Sequence, residues 1–350
     1  MSRLTPFSRF LITLLIVGGA FFAVKKFLPN LTDKFGKKDE TTATAPTEPR
    51  SDETKPAAST NTNVSPSANS SAATANAPSA NRVKFDHTPT MPNGGKLKGV
   101  VELGASGFNS FVVRIDQAKN WKLEKADFGS SLVYEKLTND DDVKSGLKNY
   151  ISNMLSFGVN PRDIHFVISS GAQKVEITKK IIDYLKTMGY VVNAVTADFE
   201  GKLGLKCVLP KEYEDDAFVA DIGSGNTKIS WLNNGQAASV ETEGAKYFEK
   251  GTTDAAVYAS VKAKAASVPN ARRKMCFIIG GVPFQLAKAV RTGKERFTVL
   301  NAPDAYKMDD AKAKAGINIY KAIADATNCQ QFVFDWDANF TIGFLLNLPY

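Results

Sequence analysis

Two segments of this 350-residue chain follow one pattern: an apolar run, an acid, a glycine-rich turn and a second apolar run. The first is VVELGASGFNSFVV, Val100 to Val113, with Glu102 as the acid and a turn that opens at Gly104. The second is VADIGSGNTKISW, Val219 to Trp231, with Asp221 as the acid and Gly223-Ser224-Gly225-Asn226 as the turn. Apolar runs joined by short glycine turns fold as hairpins. Glycine lacks a Cβ, so the turn reaches conformations in which successive N–H groups converge on an anion. Two such hairpins predict two phosphate-gripping loops that face each other across a cleft.

From about Arg82 onward strands alternate with amphipathic helices, the pattern of an α/β protein. Strands are expected at Leu97 to Leu103, Ser110 to Ile115, near Trp121 to Phe128, and at Ile164 to Ser169. A helix carries Leu147, Tyr150, Ile151, Met154 and Leu155 at helical spacing, and Gly158-Val159-Asn160-Pro161 stops it. Another carries Val175, Ile177, Ile181, Ile182, Leu185 and Met188. A strand at Tyr190 to Val195 and a short helix near Phe199 to Cys207 close the first half. The second half restarts with strands Phe218 to Ile222, Thr227 to Leu232 and Ala237 to Glu241. Helix Lys246 to Ala265, strand Met275 to Ile279, the turn Gly280-Gly281-Val282-Pro283 and a helix over Asp309 to Thr327 follow. The expected division is two similar subdomains, 83–211 and 212–350.

Ahead of them, Phe10 to Val24 carries no charge and is flanked by Arg3, Arg9, Lys25 and Lys26. It is shorter than the ~20 residues that cross a hydrocarbon core, so a spanning helix must recruit Phe27 and Leu28. The segments read as a tail (1–9), a single-pass membrane anchor (10–28) and a disordered tether (29–82) rich in Ala, Ser, Thr, Pro and Asn. A cleaved signal peptide and a buried helix are the alternatives. Lysine bias places the body in the cytoplasm, whereas the tether resembles those of exported proteins, and the side stays open.

Cys207, Cys276 and Cys329 are widely spaced and apolar in context, which argues against a disulfide framework or a zinc site. With only His87 and His165, no Ser-His-Asp set assembles. The net charge of +8 favours a polyanion or a membrane surface. Its densest parts, Arg272-Arg273-Lys274 and Lys288 through Arg296, lack interleaved aromatics, so no nucleic-acid partner is expected. Ser169-Ser170-Gly171 is either a helix cap or an anion contact, and Asp335-Trp336-Asp337 reads as structural.

The hairpins, the Gly280-Gly281 turn and the stretch VVNAVTADFEGKLGL together resemble the exopolyphosphatase and guanosine-pentaphosphate phosphohydrolase family. This is a branch of the superfamily of actin, sugar kinases and heat-shock-chaperone ATPases. The resemblance covers most of 97–300 in the family's order. It implies two actin-like (ribonuclease H-like) subdomains with an interdomain cleft. It also implies a Mg²⁺ cofactor, with Asp221 as its ligand and Glu102 in the equivalent place in the first loop. Asp221 has a plainer reading as a turn aspartate bonded to its own backbone. Phosphates would be held by Gly104, Ser106, Gly107, Gly223, Ser224, Gly225, Asn226 and Thr227, and a nucleoside would contact Gly280 and Gly281.

The departures fall on carboxylates. Where the family reads DIGGGSTE this chain has DIGSGNTK, which puts Lys228 in place of a glutamate. Where it reads ISGNEEARL this chain has VTADFEGKL, so Phe199 replaces one glutamate and Glu200 alone is retained. Either Glu200 is the catalytic base beside Asp221, or the base is missing. The resulting expectation is a membrane-tethered phosphohydrolase that acts on polyphosphate or guanosine polyphosphate. The alternatives are a catalytically degenerate nucleotide- or phosphate-binding sensor or scaffold, and an actin-like ATPase, since GNTK also resembles the phosphate loops of filament-forming actin relatives. A homodimer is compatible with each.

Overall fold

In the computed structural model, residues 74–75, 85–105, 107–128 and 140–350 are described; they belong to one compact unit, 64–350. The anchor, most of the tether and Ser106 lie outside the described residues. Among the described residues no helix is long and apolar enough to cross a membrane.

Strands β2 (Lys96–Gly104), β3 (Gly107–Ile115) and β4 (Trp121–Phe128) form an antiparallel meander. Parallel strands β5 (Ile164–Ile168) and β6 (Val192–Ala194) extend it to the order β4-β3-β2-β5-β6. The second sheet repeats this plan. Its meander is β7 (Ala217–Ile222), β8 (Asn226–Asn233) and β9 (Gln236–Glu243), extended by parallel β10 (Met275–Ile279) and β13 (Gln331–Asp335). An added antiparallel edge strand, β11 (Phe297–Val299), gives the order β11-β13-β10-β7-β8-β9. A short pairing of β1 (Thr74–Ala75) with β12 (Tyr306–Lys307) lies apart. The expected duplication is therefore present in the topology.

Side-chain alternation along each strand sorts the core into layers. On the outer face of the first sheet, Val101, Leu103 and Phe108 pack with Leu147 and Met154 of α1 (Asp140–Ser156) and Ile181 and Leu185 of α2 (Glu176–Thr187). On the outer face of the second, Phe218, Ala220 and Ile222 pack with helices α4 (Asp254–Ala265), α5 (Gly281–Val290) and α6 (Ala311–Thr327). Between the sheets lie α3 (Ala197–Val208) and α7 (Phe340–Asn347), enclosed by Val100, Val113 and Val167 from one side and Val219, Phe277 and Val333 from the other. The helix expected from Lys246 is broken: a 3-10 turn, Tyr247–Lys250, ends at Gly251, and Thr253 caps a new start by accepting from Ala256 N–H.

Candidate functional site

The register of the two hairpins is the same. Glu102 lies opposite Asn109 across β2 and β3, and Asp221 lies opposite Lys228 across β7 and β8. Both acids fall on the strand faces that carry Val100 and Val219, so both point into the layer between the sheets. Asn109 Nδ2 donates to Glu102 Oε2 at 2.9 Å, and Lys228 Nζ contacts Asp221 Oδ2 at 3.2 Å. Asn339, just ahead of α7, donates to the same Glu102 oxygen at 2.9 Å.

Glu200 enters from the first turn of α3, which Thr196 caps by accepting from Phe199 N–H at 3.2 Å. Its side chain is 2% exposed. Oε1 accepts from Lys228 Nζ at 2.5 Å, and Oε2 accepts from Ser170 N–H at 2.8 Å and Ser170 Oγ at 2.6 Å. Asn226 ties in the remainder, donating to Ser170 Oγ and to Glu241 Oε1, each at 2.7 Å. Lys228 Nζ lies 3.4 Å from Asn226 Oδ1. Ser170 thus serves as a hydrogen-bonding post between the halves, a role apart from the helix cap or anion contact expected of this turn.

The electrostatics follow from burial. Desolvation pushes the Glu102 carboxyl up to about 7, against the pull of its two amide donors, with Asp221 and Glu200 adding to the rise. Burial also raises Asp221, an effect that Lys228 opposes. For Lys228 burial alone would lower the pKa, but the charges of Asp221 and Glu200 outweigh it and hold the amine protonated well above its ordinary value.

The described loop residues meet directly and leave no open cleft at their tips. A Cβ on Gly225 would lie 2.9 Å from Gly171 Cα and 3.2 Å from Ala105 Cβ, so the two loops and the Ser169-Ser170-Gly171 turn touch. Gly104 pairs with Gly107 to close the first hairpin. In the second loop Gly223 N–H donates to Asn226 O, while the carbonyls of Gly223 and Ser224 accept from Ala245 and Lys246. The N–H groups of Ser224 and Gly225 have no partner among the described residues. Thr227 is fully buried, one position out of phase with Lys228 and on the opposite sheet face. Gly280, at φ 114°, packs on the backbone of Ile222, where a Cβ would come within 2.3 Å of its carbonyl oxygen, and Gly281 opens α5.

Magnesium, which the resemblance implies, does not fit this donor set. Its coordination demands carboxylates and water around a near-ideal octahedron, whereas an ammonium already lies between Glu200 and Asp221. Among the described residues no group of three or more His, Cys, Asp or Glu side chains is placed to hold a metal ion.

Asn109 and Asn339 were not singled out in the sequence. Asn109 could have been found by overlaying the hairpins, since it stands to Glu102 as Lys228 stands to Asp221; Asn339 comes from the far end of the chain and has no local signal. Asp335 behaves structurally, forming a two-pronged pair with Arg296 at 3.0 Å on each arm. His165 is a packed strand histidine whose pKa burial lowers, and all three cysteines are buried.

No protein-family model and no curated protein matches the chain. Among solved structures it is similar to an exopolyphosphatase from Cytophaga hutchinsonii at 13% identity and TM-score 0.56, over 71% of this chain and 96% of that one. It is also similar to the Ppx/GppA phosphatase of Aquifex aeolicus at 13% identity and TM-score 0.51, over 72% and 98%. At such identity the likeness shows the fold alone: a mixed α/β architecture of two sheets, shared with these phosphatases.

Proposed function

We propose that this chain is a membrane-tethered sensor or scaffold that binds a phosphate chain or nucleotide at its glycine-rich loops and does not hydrolyse it. The observation that carries this reading is the state of Glu200. A general base needs a lone pair within hydrogen-bond reach of the attacking water. Glu200 is instead 2% exposed and already accepts from Lys228 on one oxygen and from two donors of Ser170 on the other, which leaves one of its four lone pairs, beside the ammonium, for a water. Loss of such a base costs roughly 10² to 10⁴ in rate. Binding is supported by the N–H groups of Ser224 and Gly225, which have no partner among the described residues and lie in a glycine-rich turn of the kind that can hold an anion.

A second reading, phosphoanhydride hydrolysis of polyphosphate or guanosine polyphosphate, draws on the fold shared with an exopolyphosphatase and a phosphatase. It would rely on Glu102, whose carboxyl titrates near neutrality beside Asp221. Thermal melting in EDTA with polyphosphate, guanosine pentaphosphate and ATP tests the binding reading. A ligand at 100 times its Kd stabilises by about 2.7 kcal/mol, a rise of several degrees. A rise with polyphosphate or guanosine pentaphosphate is expected. No rise with any of the three would refute the reading, and a rise with ATP alone would move it to the actin-like class. The tethering part is tested by protease accessibility of residues 39–82 in intact cells.

A further inference from the structure

Three contacts join the first half of the chain to the second at this site: Glu200 to Lys228, Ser170 to Asn226, and Glu102 to Asn339. Lys228 is central to them. Its Nζ has three oxygen neighbours for its three protons, Glu200 Oε1 at 2.5 Å, Asp221 Oδ2 at 3.2 Å and Asn226 Oδ1 at 3.4 Å. The side chain is 3% exposed, so all of its charge is spent inside the protein.

We propose that the ε-ammonium of Lys228 is the resident cation of this site, taking the place between Glu200, Asp221 and Asn226 that a divalent ion would need and tying the two halves together with no ligand bound. Two buried carboxylates this close demand a positive partner, because an unpaired buried charge is far costlier than a paired one. Here β8 supplies it through a side chain fixed opposite Asp221. A divalent ion entering among these groups would meet a fixed like charge at short range, which excludes it. The inference concerns the unliganded chain and stands whether or not a phosphate ligand is found.

The test is Mn²⁺ binding by the full chain, followed through the electron paramagnetic resonance of the free ion, in wild-type protein, Lys228→Ala and Asp221→Asn. Wild-type protein is expected to take up no Mn²⁺ that depends on Asp221. Lys228→Ala should melt about 10 °C lower, as expected for breaking a buried pair. It should then bind one Mn²⁺ per chain and recover part of the lost midpoint. A wild-type chain that binds one Mn²⁺, with that uptake abolished in Asp221→Asn, would overturn the proposal, as would a folded Lys228→Ala that takes none. If Lys228→Ala does not fold, the comparison of wild-type with Asp221→Asn decides alone.

Discussion

Glu102 and Asp221 stand at equivalent positions of two equivalent hairpins, yet one faces amides and the other an ammonium. Burial raises both carboxyls, and only at Asp221 does a cation oppose the rise. Glu102 has its ordinary value near 4.5 in the unfolded chain and about 7 in the folded one. The folded chain therefore holds the extra proton between those values. The stability this gives is complete below about 4.5 and is lost as pH rises through 7. Glu102→Gln keeps an acceptor for Asn109 and Asn339 and removes the titration. Urea unfolding from pH 4.5 to 8 should show the variant gaining on wild-type by on the order of 2 kcal/mol across that range. A constant gap between the two would contradict the burial of this carboxyl. At the residue scale the sequence made the acids and glycines visible because their types and spacing repeat. It placed Lys228 opposite Asp221 but could not show the pairing of Lys228 with Glu200, which arrives on a helix from the other half.

The elements that join the halves are α3 and α7, and their approach is close enough to be tested. A Cβ on Gly343 of α7 would fall 2.0 Å from the backbone oxygen of Leu203 on α3. On Gly204 it would meet nothing nearer than Phe340 Cβ at 3.9 Å. Gly343→Ala should destabilise by about 1–3 kcal/mol through overpacking. Gly204→Ala should be neutral or stabilise by roughly 0.5–1 kcal/mol, because glycine is costly within a helix. Chemical denaturation of the two variants checks the contrast, and equal effects would contradict the described crossing. Most strands and helices were legible from their periodicity, within a few residues at the ends. Helix α7 was not: Phe340 through Leu346 are all buried, so no polar face marks a helical period. Strand β11 is three residues long and β13 lies in a continuous apolar run, which left both without an alternating pattern.

For the whole molecule, the duplication that the two hairpins announced extends to both sheets, strand for strand, apart from the added edge strand β11. The return of the chain after β13 to fill the space between the sheets was not legible, because long-range packing leaves no local mark. That return brings Asn339 to Glu102, while Glu200, Ser170, Asn226 and Lys228 complete the closed polar cluster. In the proposed function, this cluster holds a fold shared with phosphatases in a form that does not turn over. The most direct measurement is phosphate release from polyphosphate, guanosine pentaphosphate and ATP in the presence of Mg²⁺, with Asp221→Asn as the reference. Release no faster than that reference is expected on all three substrates. Magnesium-dependent release that Asp221→Asn abolishes would contradict it.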